Sequence, residues 1–184
     1  YVASQMAKAS GVNFVTIDCS TLSRAGWKGV TLANAIQSER DKCGDKRKFD
    51  RSIIFFDECD KLRFIPYRGD EGNPQPNFLR MFDGELQAEL GNGNMENIDT
   101  SKMSFIFAGA FANGLDEIIK KRITPKRTIG FSAEPTQQID GNVLKYATFG
   151  DIQEYGIMGE LCGRIGSLIY LPPLTDADYH TLIK

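Results

Sequence analysis

The stretch SIIFFDECDKL, residues 52 to 62, decides the fold. Its unbroken apolar run, Ile53-Ile54-Phe55-Phe56, has the length and composition of a strand buried on both faces. The run ends in two adjacent carboxylates, Asp57 and Glu58, which burial does not explain. One reading makes Asp57 or Asp60 the cap of a following helix, because a side-chain oxygen there satisfies free N–H groups at a helix start. The other places the acids at the carboxyl end of a central strand, where open α/β sheets bind their ligands. One acid can then hold Mg²⁺ while the other activates water.

Working toward the amino terminus, Phe14-Val15-Thr16-Ile17 reads as a short strand, and a helix from about Thr31 packs Leu32, Ala35 and Ile36. The charged run ERDKCGDKRKFDR, 39 to 51, reads as solvated helix end and loop. The first residues are already helical in pattern, with Val2, Met6 and Ala9 on one face and Gly11 as the stop. No capping residue precedes that helix, so the expectation is a chain cut from something longer.

Toward the carboxyl terminus, RGDEGNPQPN is a loop by composition. Phe78, Phe82, Leu86 and Leu90 recur every four residues and predict one amphipathic helix, closed by GNGN. Met103 to Ala108 is a second buried strand, Leu115 to Lys121 a helix, and Arg127 to Asn142 a polar loop. Ile152 to Cys162 reads as helical turns and Ser167 to Leu171 as a last strand. Pro172-Pro173 marks a boundary, after which Thr175 and Asp178 form a capping box for a new helix. Strands alternating with helices predict an α/β fold with a mostly parallel sheet covered on both faces.

Composition excludes several function classes. A chain of 184 residues with 41% hydrophobic and 25% charged residues belongs with soluble globular domains. Twenty-two basic against 24 acidic residues argue against nucleic-acid binding through a bulk basic surface. The four cysteines, Cys19, Cys43, Cys59 and Cys162, form no C-x-x-C pair, so neither a zinc site nor a disulfide framework is expected. No apolar stretch approaches the roughly 20 residues of a membrane span, and the first residues lack a signal-peptide layout. The expected location is cytoplasmic.

A carboxylate pair on a central strand ordinarily works with a phosphate-binding loop of the form G-x-x-x-x-G-K-[ST], and this sequence contains none. In such folds the loop immediately precedes the first long helix, which puts it upstream of Tyr1. With that position supplied, the order of features resembles the AAA+ ATPases of the Clp/HSP100 family, and within them the ClpX group of protein unfoldases. The resemblance rests on TLSRAGWKG at 21 to 29, IIFFDECDKL at 53 to 62 and DTSKMSFIFAGAFANGLDEII at 99 to 119. It continues through TIGF at 128 to 131 and EYGIMGELCGRIGSLIYLPPLTDADYHTLI at 154 to 183.

The resemblance implies a P-loop-type three-layer αβα sandwich, truncated at its amino terminus. Residues 1–171 would form the large ATPase subdomain without its first strand and phosphate loop, and 172–184 the linker and start of a small helical lid. It implies an ATP-dependent unfoldase that forms a homo-hexameric ring, uses ATP and Mg²⁺, threads protein substrates and delivers them to a ClpP-type peptidase. The chain by itself is then expected to be inactive. Two other readings stay open: a non-proteolytic remodelling ATPase, and a degenerate ATPase serving as an assembly scaffold.

Residue by residue, Asp57 and Glu58 look like a Walker B pair, with Asp57 holding Mg²⁺ through water and Glu58 orienting or deprotonating the attacking water. Arg164 looks like an arginine finger aimed at a neighbouring subunit's nucleotide; the alternative is an i, i+4 pair with Glu160. Trp27 and Lys28, between two glycines, look like the substrate-gripping pore loop, though the family usually has Tyr-Val there; the alternative is a tryptophan packed under its own helix. Ile129-Gly130-Phe131 looks like the peptidase-docking tripeptide, or a loop pinned by two hydrophobic side chains. Gly159 departs from the family's usual proline, and the segment before Phe78 differs from the family's second pore loop. Cys59 and His180 carry no expected chemistry.

Overall fold

The computed structural model describes residues 1–23, 30–64, 73–91, 93–112, 114–124 and 142–182. In chain order, α1 (Val2–Ala9) leads to β1 (Phe14–Asp18), and α2 (Leu32–Cys43) with the single-turn α3 (Lys46–Phe49) leads to β2 (Ile53–Asp57). Next come α4 (Gln75–Phe82), the hairpin strands β3 (Glu85–Glu89) and β4 (Met95–Asp99), and β5 (Ser104–Phe107). Four helices follow: α5 (Leu115–Ile123), α6 (Phe149–Tyr155), α7 (Gly159–Arg164) and α8 (Asp176–Leu182).

Among the described residues the main sheet has the order β1-β2-β5 and is parallel throughout. β2 is central, with Phe14 to Asp18 paired along one edge and Ser104 to Phe107 along the other. That placement is why its sequence is an apolar run: both edges are hydrogen-bonded and both faces bear side chains that must leave water. The faces are unequal. Ile54 and Phe56 are wholly buried, whereas Ile53 and Phe55 are half-buried.

The closed face is covered by α2 and α4. Thr31 caps α2, its hydroxyl accepting from Asn34 N at 3.2 Å, and Gly44, at φ +72°, ends it in the left-handed conformation. Leu32 and Ile36 of α2 are fully buried in the core, as is Phe78 of α4. Phe56 meets Phe78 edge-on with centroids 5.1 Å apart and stacks on Phe107 at 4.9 Å, while Phe82 meets Phe105 edge-on at 5.5 Å. Full burial of a ring such as Phe56 or Phe78 contributes about 1.5–3 kcal/mol, and this aromatic layer holds α4 onto β2 and β5.

Several expectations are corrected. The helix expected through Leu90 stops at Phe82: Gly84, at φ +89°, turns the chain, and Leu86 and Ala88 become the inward residues of a strand with alternating burial. The GNGN segment joins β3 to β4, with Leu90 N donating to Asn94 O at 2.7 Å. The loop expected at 68 to 77 gives way to helix at Gln75. In α1 the buried residue is Ala7; Val2 and Met6 are exposed.

The charged run at 39 to 51 is not all solvated. Phe49 is fully buried, and buried Arg40 holds Asp50 at 3.0 Å and Glu96 at 2.8 Å, tying α2 to the hairpin. Ser167 to Leu171 forms no strand; Ile169 and Leu171 are exposed, and no described strand takes up their backbone groups. The capping box at Thr175 is present, with Asp178 accepting from Thr175 N and Oγ1, each at 2.7 Å. No helix among the described residues is long and apolar enough to cross a membrane.

Candidate functional site

Parallel pairing brings the carboxyl ends of β1, β2 and β5 to one edge of the sheet, and the residues just beyond them build a cleft. Asp57 is level with Asp18 on the neighbouring strand. Asp18 is turned to local work: its carboxylate accepts from Ser20 N at 2.8 Å and caps the 3-10 turn Cys19–Thr21, and hydrogen bonds from the Ser20 side chain and backbone hold its pKa below the usual range. Asp57 is exposed, and its Oδ1 accepts from Glu58 N at 2.9 Å.

Glu58 stands in the left-handed region, at φ +52° and ψ +37°. This single residue is an extra one in the strand, a bulge after which the parallel ladder resumes at once: Cys59 N donates to Ala108 O at 2.8 Å, just past Ala108 N donating to Phe56 O at 2.8 Å. The Glu58 carboxylate is left exposed, with no hydrogen bond or ion pair among the described residues. Both acids therefore point past the sheet edge on a backbone fixed from either side.

The 3-10 turn Cys59–Leu62 follows. Asp60 is buried against the strand β5 exit, and Gly109 makes that approach possible: a Cβ there would lie 2.7 Å from Asp60 Oδ1 and 2.9 Å from Asp60 N. Lys61 Nζ stands 3.6 Å from the Asp60 carboxylate. Asp57, Glu58, Asp60, Lys61 and Ala108 to Ala110 line an open cleft of about 400 Å³. Of these, the cleft contributions of Lys61 and Gly109 were not legible from the sequence; the glycine inside FAGAF was their one visible signal.

The thiols beside the cleft, Cys19 and Cys59, are free and buried. Burial, with the neighbouring Asp60 and Asp57 charges, pushes Cys59 up to about 12, and burial pushes Cys19 higher still. Cys59 is buried in the hydrophobic core.

Mg²⁺ is ordinarily held through one or two carboxylates together with oxygens of a bound phosphate. Asp57 offers one exposed carboxylate at the mouth of the cleft, and no group of three or more ligating side chains forms a cage among the described residues. The donor set suits a cation shared with a phosphate ligand.

Arg164 does not line this cleft. It ends α7, and its guanidinium pairs with the Asp83 carboxylate and lies 3.5 Å from Leu79 O, both at the carboxyl end of α4. The alternative pairing with Glu160 is not made. Trp27 and Lys28, and Ile129, Gly130 and Phe131, lie outside the described residues. The residues flanking the first pair are tied together, Ser23 N donating to Val30 O at 3.0 Å.

Residues 1–131 match the family described as "ATPase family associated with various cellular activities (AAA)". The chain belongs to the AAA family of ATPases. This AAA chain is similar over nearly its whole length to proteins named "ATP-dependent Clp protease ATP-binding subunit ClpX". It is 31% identical over 192 residues to that of Borrelia duttonii (strain Ly), an alignment covering 96% of the chain and 44% of the relative. It is 31% identical over 195 residues to that of Treponema denticola, covering 96% and 46%. The Azotobacter vinelandii protein is 31% identical over 196 residues, covering 97% and 43%. The chain spans less than half the length of these curated relatives. The α/β architecture with its parallel sheet is that of an AAA ATPase, and the acid pair occupies the carboxyl edge of that sheet.

Proposed function

We propose that this AAA chain supplies the hydrolytic edge of a ring-forming ATPase that unfolds proteins and threads them through its pore. The observation that carries the reading is the pair Asp57–Glu58, delivered by a central parallel strand and a left-handed turn into an open cleft. Asp57 would hold Mg²⁺ through water, and the ion when bound supplies neutralising charge on the phosphate oxygens. Glu58 orients the attacking water and accepts its proton, a role that suits an exposed carboxylate with no partner among the described residues. Arg164 serves a neighbouring subunit's nucleotide, since its own chain keeps it out of the cleft.

Trp27 and Lys28 grip substrate, Ile129-Gly130-Phe131 docks on a peptidase ring of the ClpP type, and the working assembly is a homo-hexamer in the cytoplasm. The similarity to ClpX chains supports these assignments. No G-x-x-x-x-G-K-[ST] loop occurs in these 184 residues, which supports the reading that they do not hydrolyse ATP by themselves. The largely exposed stretch 166–175, ahead of capped α8, supports a boundary at Pro172 and the start of a lid subdomain.

The test is MgATP turnover by the intact protein and by its Glu58→Gln variant. Loss of a positioned general base lowers turnover about 100-fold or more. Turnover at the parent rate in Glu58→Gln removes the role of Glu58. No turnover in the parent, under conditions where rings assemble, favours the scaffold reading.

A further inference from the structure

Gln75 is fully buried, and its side-chain amide is engaged with three separate backbone groups. Nε2 donates to Leu62 O at 2.7 Å and to Gly156 O at 3.0 Å, and Oε1 accepts from Met158 N at 2.6 Å. Leu62 closes the 3-10 turn that begins at the acid pair, and Met158 is the N-cap of α7. One amide therefore joins the segment leaving Glu58 to the helix carrying Arg164.

The surroundings reinforce this junction. Phe64 N donates to Gly156 O at 2.9 Å, and a Cβ at Gly156, whose φ is +119°, would lie 2.6 Å from Phe64 O. The Arg63 guanidinium covers the Tyr155 ring at 4.6 Å, and the same ring meets Phe111, at the exit of β5, at 5.3 Å. At its other end α7 is held to α4 again, through Arg164 with Asp83 and Leu79 O. The two helices lie side by side, pinned at both ends, with Gln75 as the starting pin.

We propose that Gln75 is a positioning residue: it fixes α7 relative to the acid-pair segment, so that the cleft of one subunit and the arginine it presents to the next form one rigid unit. The proposal rests on the reading of Arg164 as a group acting on a neighbour's nucleotide. The chemistry required at position 75 is two donors and one acceptor on a short planar group, which glutamine provides and neither methionine nor glutamate does.

The test mixes subunits of the intact protein. Parent subunits are combined with equal amounts of chains carrying Glu58→Gln alone, Glu58→Gln with Gln75→Met, or Glu58→Gln with Arg164→Ala, and MgATP turnover is measured in rings verified by size. Glu58→Gln chains are silent in their own sites, so any further loss arises in parent sites beside them. Loss of a trans arginine costs about 10³–10⁵ in rate, so the Arg164→Ala mixture falls from about half to about a quarter of parent turnover. The Gln75→Met mixture is expected to match it.

A purely local role for Gln75 leaves its mixture equal to that of Glu58→Gln alone and overturns the proposal. Gln75→Glu, which keeps an acceptor for Met158 N and loses both donors, is run in parallel and is expected to behave as Gln75→Met. Failure of both variants to enter rings assigns Gln75 to fold stability alone and also overturns it. Absent turnover in parent rings removes the ATPase reading and this inference together, whereas normal parent turnover with no trans loss removes the inference only.

Discussion

Gly109→Ala tests how tightly the cleft is built. The added carbon would sit 2.7 Å from Asp60 Oδ1, 2.9 Å from Asp60 N and 3.1 Å from the Phe111 ring. Non-bonded heavy atoms rest comfortably at about 3.5 Å, so an overlap of roughly 0.5–0.8 Å must be relieved. The carboxylate can rotate, but Asp60 N cannot easily move. Its turn is held on one side by Cys59 N donating to Ala108 O at 2.8 Å and on the other by Arg63 N donating to Asp60 O at 3.3 Å.

Overpacking of this kind costs about 1–3 kcal/mol. In a chain of 184 residues, about 2 kcal/mol corresponds to a fall in Tm of roughly 4–8 °C. The assay is thermal unfolding followed by circular dichroism, with Gly163→Ala as the control. A Cβ at Gly163 meets nothing within 4 Å, and the residue lies inside α7, where alanine is favoured over glycine by about 1 kcal/mol. The control should therefore melt at or above the parent. A Gly109→Ala protein melting within about 1 °C of the parent, or a control falling equally, would refute the close approach of β5 to Asp60.

Asp151 predicts an acid limb of stability. Burial would raise its pKa, but hydrogen bonds from Arg122 at 2.7 and 2.9 Å and from Thr148 outweigh burial and hold it below the usual carboxylate range. With the folded value below the unfolded value of about 3.9, its contribution is present above that pH and lost as pH falls through the lower, folded value. Asp151→Asn should therefore flatten the dependence of Tm on acid pH; an unchanged slope counts against the pairing. Thr148 and Asp151 also form the capping box of α6, each side chain accepting from the other's backbone N–H, so Thr148→Ala should cost about 1 kcal/mol in denaturant unfolding. Thiol labelling of the native protein, mapped by mass spectrometry, should modify half-exposed Cys43 well before buried Cys19 and Cys59; equal rates would contradict the burial of the last two.

The three strands of the main sheet and the acid pair were readable because each is a local pattern, an apolar run with an abrupt polar end. The misread helix shows where such patterns fail. Phe78 and Phe82 are helical neighbours, but Leu86 keeps the four-residue spacing while serving a strand, and the turn at Gly84 is what separates them. GNGN between two alternating segments was the available hairpin signal. The burial of Arg40 was hidden because its partner Glu96 comes from the far hairpin, and Ser167 to Leu171 was over-read because strand propensity does not provide a neighbour. At the site, the acids declared themselves, whereas Gln75 looks like any polar residue in a loop until its three backbone partners are brought together.

The left-handed backbone at Glu58 makes this position a ledger of evolutionary history. A side chain bearing a Cβ costs roughly 1–2 kcal/mol there, and glycine does not. Folding by itself thus favours losing the acid: a Glu58→Gly chain would gain stability and keep its sheet. Any descendant freed from the need to hydrolyse nucleotide has a downhill route away from glutamate, open to a single mutation. On the role proposed for it, the carboxylate is kept in that place by the work it does, and its disappearance from a relative would mark the point at which the motor had become a scaffold.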